Sequence, residues 1–161
     1  TYLVSPYSPW PGFAGRMKGL SDITGEGHGT GLMLYAVSYS ALALLYGARP
    51  YVVAAGVLPM AYGDSAAALV GTRYGRCRFR VYEHKSLEGC LGMFTGSLLS
   101  LLAGMAYFSR VYSFSLQAQV FPVLAVAAVA TVAEAMSPQG LDNLTVPALG
   151  ALTFIALGGG P

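Results

Sequence analysis

The sequence predicts an all-α, multi-pass transmembrane helical bundle of about five spans, and three observations predict it. The 161 residues are 55% hydrophobic but only 10% charged, with a mean hydropathy of +0.56. A soluble domain carries roughly 25% charged residues, so this chain lacks the polar surface that water requires. The apolar residues gather into blocks of membrane length, since a helix needs about 20 residues to cross the hydrocarbon. The 21 glycines agree with this, because small residues let helices approach closely in lipid. The net charge of +2 is too small to point to nucleic acid.

Five blocks qualify as spans: residues 31–48, 51–72, 87–108, 120–136 and 144–157. The last is short and contains Pro147. Residues 1–30, with Pro6, Pro9, Pro11 and several glycines, are expected to form an interfacial or loop segment, and 1–161 to form a single integral-membrane domain. Thr1-Tyr2-Leu3-Val4 carry no basic signal-peptide region and no initiator Met, so a further segment is expected upstream. Cys77 and Cys90 fit neither a zinc pattern nor a disulfide.

Charge asymmetry then sets the orientation. Arg16 and Lys18 precede the first span, and Arg73, Arg76, Arg78, Arg80 and Lys85 lie between the second and third. With alternating spans these seven of the nine basic residues face one side, leaving Arg49 and Arg110 opposite. The positive-inside rule places the basic 73–86 loop in the cytoplasm of a cell membrane. The 137–143 turn falls on the same side.

Acids within or beside spans are costly and usually functional. Asp64 lies inside the second span, Glu88 begins the third, Glu134 ends the fourth and Asp142 begins the fifth. The predicted topology brings all four towards the cytoplasmic side. Carboxylates at one level suit Mg²⁺, which takes oxygen ligands and bridges to substrate phosphates. Glu88 and Asp142 have a plainer alternative as caps of helix N-termini. Asp64, mid-helix in lipid, has less reason to be there without a function. Helical spacing puts Ala67, Ala68, Gly71 and Gly75 on the Asp64 face, leaving room for a ligand. Arg73 and Lys85 are placed to neutralise phosphate. Arg76, Arg78 and Arg80 are assigned instead to anchoring against anionic lipid.

Two other patterns carry less. Glu88, Gly92, Gly96, Ser100 and Gly104 recur every four residues, which describes a helix-packing seam, within the chain or between two copies. Residues 25–31 are glycine-rich but do not match GxxxxGK[ST] and follow no strand. Nothing suggests a Ser-His-Asp or Cys-His nucleophile.

The stretch GDSAAALVGTRYGRCRFRVYEHKSLEGCLGMF resembles the signature of the CTP-dependent polyprenol kinases: GD, a spaced pair of glycines, then KSxEG. Downstream, ATVAEAMSPQGLDNLTVPALGAL is similar to the same family's second block, an acid ahead of an LDDN-x-x-VP element. Both blocks, in order, span residues 58–152, and the likeness is nearest to phytol kinases, then dolichol and diacylglycerol kinases. The resemblance implies transfer of a phosphoryl group from CTP to the hydroxyl of a membrane lipid alcohol. It implies catalytic roles for Asp64, Lys85, Glu134 and Asp142, with Asp64, Glu134 and Asp142 holding Mg²⁺ or Mn²⁺. It also implies nucleotide contacts by Gly63, Gly71, Arg73, Gly75, Lys85, Ser86, Glu88, Gly89 and Asn143. The family's usual Asp-Asp-Asn is Leu141-Asp142-Asn143 here, one acid fewer. A CTP:phosphatidate cytidylyltransferase and a cation-coupled transporter are the rival expectations. The expected partners are CTP, the lipid alcohol and the bilayer, with a homo-oligomer through Gly92 and Gly96 as an option.

Overall fold

The computed structural model describes residues 29–80, 84–138 and 140–161. The segment expected over residues 1–30, with Arg16, Lys18 and His28, therefore lies outside the described residues except for its last two positions.

Among the described residues the chain forms five helical rods and one small ribbon. The first rod is α1, Gly29–Tyr46. The second runs from α2 (Pro50–Leu58) through a π-helical turn (Pro59–Gly63) into α3 (Asp64–Tyr74). A two-stranded antiparallel ribbon follows, β1 (Arg78–Arg80) against β2 (His84–Ser86). Then come α4 (Leu87–Tyr112), α5 (Val120–Met136, entered through a 3₁₀ turn at Gln117–Gln119) and α6 (Asp142–Ala156). The all-α expectation holds. The loop expected over 73–86 is in part ordered, because α3 continues to Tyr74 and the arginine-rich stretch pairs with the segment before α4.

Among the described residues three runs are long and apolar enough to cross a membrane: Pro50–Tyr74, Leu87–Tyr112 and Gln117–Met136. The fifth rod has 15 residues and rises about 22 Å, short of the roughly 30 Å hydrocarbon core. The outer surface suits lipid. Leu69, Leu91, Leu99, Phe121, Val132 and Leu152 are each more than half exposed, far more apolar surface than a water-soluble domain leaves open.

Two prolines break helical ladders, and neighbouring helices compensate. Pro59 has no N–H for the carbonyl of Ala55, and the ladder widens there until the amide of Asp64 bonds Pro59 O five residues back. Gly150 of α6 lies against the Ala55 carbonyl, where a Cβ would come within 2.9 Å of its oxygen. Pro147 likewise frees the carbonyl of Asn143. Ser38 of α1 donates its hydroxyl to that oxygen at 2.8 Å, the kind of repair a low-dielectric setting demands.

The core lies in two parts. The larger gathers Leu42, Tyr51, Val52, Leu101, Met105, Val123, Val126 and Phe154 from α1, α2, α4, α5 and α6. The smaller, of Met60, Ala67, Met93, Ala130, Ala133 and Val146, lies nearer the ribbon end. There the glycine seam of α4 is filled from within the chain. A Cβ on Gly92 would meet Ala66 O at 2.8 Å, and one on Gly96 would meet Tyr62 O at 2.9 Å. This internal packing accounts for both glycines without a second copy.

Candidate active site

The π-helical turn sets where Asp64 stands, since it re-phases the rod just before α3 begins, and such turns recur at functional sites. From Asp64 the helical repeat carries Ala67, Ala68, Gly71 and Thr72 along the same wall. Across from them the ribbon delivers Arg78, Lys85 and Ser86. The pairing register is Arg78 with Ser86 and Phe79 with Lys85. Ser86 is the N-cap of α4, its hydroxyl accepting from the amide of Gly89 at 3.0 Å, which turns the chain into the helix and puts Gly89 and Cys90 at the rim. Glu134 closes the site from the end of α5. Together these residues line a cleft of about 310 Å³.

Two carboxylates and two cations meet there: Asp64 and Glu134, Arg78 and Lys85. Glu134 is only 4% exposed, and Lys85 Nζ bonds its Oε1 at 2.5 Å. A carboxylate buried that deeply needs a partner to remain charged, and Lys85, reaching in from the ribbon, supplies it. The formal charges of the four side chains cancel. A polyphosphate entering the cleft would thus bring negative charge that these four side chains alone do not offset.

Gly71 and Gly89 let the α3 and α4 backbones approach. A Cβ on Gly71 would lie 3.4 Å from Ser86 Oγ, and one on Gly89 would lie 3.1 Å from the same atom and 3.4 Å from Ala67 O. The space beside Gly71 is therefore taken partly by the chain's own cap.

Of the residues expected at the site, the cleft joins Asp64, Gly71, Lys85, Ser86, Gly89 and Glu134. Others do different work. Gly63 is buried against Met93 and Ser97 of α4. The Arg73 guanidinium lies 5.7 Å from the centre of the Tyr74 ring. Gly75 ends α3, its amide donating to Gly71 O. Glu88 accepts from the amide of Cys77 at 3.2 Å, a bond to the chain ahead of β1 and not the cap of a helix N-terminus, which here is Ser86. Asp142 and Asn143 start α6, where Asp142 Oδ1 accepts from the Asn143 amide at 2.9 Å. Neither lines the cleft. Among the described residues no group of three or more His, Cys, Asp or Glu stands together: Asp64 and Glu134 share the cleft, while Asp142 turns its carboxylate to its own helix start.

Sequence reasoning missed Arg78, Thr72 and Cys90. Only Arg78 had a usable signal, the alternation of Arg76, Arg78 and Arg80 with apolar neighbours, which has the period of a strand.

No family model matches the chain, and no solved structure matches it. A curated relative does. The chain is 40% identical over 132 residues to a protein named phytol kinase from Synechocystis sp., a match covering 78% of this chain and 53% of the relative. The chain thus spans about half the length of that relative. Over the matched stretch, in keeping with its two sequence blocks, this chain is similar to a phytol kinase.

Proposed function

We propose that the cleft carries phosphoryl transfer from CTP to the hydroxyl of a membrane lipid alcohol such as phytol, giving a lipid monophosphate and CDP. The observation that carries this is the meeting of Asp64, Lys85, Arg78 and Glu134 in one cleft, formed near where three helical runs of membrane-crossing length begin or end. Kinship with a phytol kinase supports the choice of acceptor. In this reaction the alcohol oxygen bonds to the γ-phosphorus as the bond to the β-phosphate oxygen breaks. The hydroxyl proton leaves to a nearby carboxylate. Such reactions depend mainly on positioning and charge neutralisation.

The cleft fits a divalent cation in the manner typical of Mg²⁺, held by one or two carboxylates together with substrate phosphates. Asp64 is the residue we assign to hold it, because its carboxylate lines the cleft beside the small residues Ala67, Ala68 and Gly71, which leave room for a ligand. Bound there, Mg²⁺ would neutralise charge on the phosphates. Lys85 orients Glu134 through their ion pair, and Ser86 and Gly89 shape the wall beside the α4 N-terminus, whose dipole favours anions. The active face is assigned to the cytoplasm on the position of the arginines.

The test supplies membranes containing the full-length protein with CTP labelled at the γ- or the α-phosphate, a panel of lipid alcohols, and phosphatidate. Label from the γ-position in a lipid monophosphate is the expected result, and it should disappear in excess EDTA. Label from the α-position in a CDP-lipid would establish a cytidylyltransferase instead.

A further inference from the structure

The three arginines of the ribbon region look equivalent in sequence, yet the fold separates them. Arg76, Arg78 and Arg80 are all exposed, as residues that anchor to anionic lipid would be. Only Arg78 lines the cleft, together with Asp64, Lys85 and Glu134. Its place is fixed by backbone pairing: Arg78 stands opposite Ser86 in the ribbon, and Ser86 is tied to α4 through the amide of Gly89. The other cation of the cleft, Lys85, already faces Glu134 at 2.5 Å. Binding a phosphate chain through Lys85 alone would draw on a charge that a buried carboxylate is using. Arg78 is not so engaged: among the described residues the ion pair is that of Lys85 with Glu134.

We infer that Arg78 is a specific contact for the phosphate chain of the nucleotide donor, distinct from the lipid-anchoring role of Arg76 and Arg80. The inference rests on the phosphoryl-transfer reading above. The guanidinium is planar, always charged and able to give two parallel hydrogen bonds to phosphate oxygens. A lysine keeps the charge but loses that fork.

The experiment uses the full-length protein in membranes with Arg76→Ala, Arg78→Ala, Arg78→Lys and Arg80→Ala. Three quantities are read: KM for CTP, KM for the lipid alcohol, and direct binding of labelled pyrophosphate. Arg78→Ala is expected to raise the KM for CTP and weaken pyrophosphate binding about ten- to a hundredfold, the range for losing a charge-assisted hydrogen bond. The KM for the alcohol should not move. Arg78→Lys should recover part of the loss, and Arg76→Ala and Arg80→Ala should match the wild type. Equal effects at all three arginines, or none at Arg78, would overturn the inference. The pyrophosphate arm separates it from the kinase reading. A working kinase indifferent to Arg78→Ala sinks the phosphate contact alone. A protein that phosphorylates no alcohol but loses pyrophosphate on Arg78→Ala sinks the kinase reading and keeps the contact.

Discussion

Glu134 shows most plainly what a single residue costs and does in this chain. It is a carboxylate at 4% exposure, bonded by Lys85 at 2.5 Å. Removing one partner leaves the other uncompensated, so Lys85→Met should destabilise the protein by roughly 3 kcal/mol. The double change Lys85→Met with Glu134→Leu should regain most of that stability, because a well-packed apolar pair often replaces a buried ion pair without loss. Activity should stay absent in both variants. Unfolding in detergent, followed beside turnover, checks the two expectations together. Asp64 was legible as a site residue because a carboxylate inside an apolar block has few other reasons to exist. Arg78 was announced only in part: the alternation of Arg76, Arg78 and Arg80 has the period of a strand, but it does not reveal the pairing with Ser86 that brings Arg78 to the cleft. For Asp142 the level in the membrane was legible but its local bonding was not, since its carboxylate accepts from the amide at its own helix start.

At the scale of elements, apolar block length was enough to place the helices. The 120–136 block matches α5, Val120–Met136, and the others agree to within a few residues at most ends. What escaped was how the backbone pairs around the block ends and prolines: the ribbon, the π-helical turn before Asp64, and the long-range repair of the broken α6 ladder. The last of these gives a measurable coupling. Ser38→Ala should destabilise the protein by about 1–3 kcal/mol, because it strands the Asn143 carbonyl that Pro147 has freed. In a Pro147→Ala background the same substitution should cost much less, since the helix amide at 147 can then bond that carbonyl. A double-mutant cycle on thermal stability reads the difference, and equal costs in both backgrounds would count against the repair. The glycine seam makes a second element-scale prediction. Gly92→Leu should push α4 from α3, because a side chain there meets Ala66 O and Val70. Loss of the folded state, with no change of oligomer beforehand, is the expected outcome by size-exclusion chromatography.

For the whole molecule, the central relation is between a lipid-facing bundle and one charged cleft at the ends of its helices. The exterior is apolar around much of its girth, while Asp64, Glu134, Lys85 and Arg78 converge from three separate parts of the chain. That arrangement suits an acceptor arriving from the bilayer and a phosphate donor arriving from water. The most direct measurement is transfer of γ-label from CTP to phytol by the full-length protein, compared with its Asp64→Asn variant under identical Mg²⁺ and verified folding. The account predicts labelled phytyl monophosphate from the wild type and a rate at least about a hundredfold lower from Asp64→Asn, as expected for losing a charge placed at the reacting phosphates. Undiminished transfer by a folded Asp64→Asn protein would contradict the assignment of this cleft as the place where the chemistry occurs.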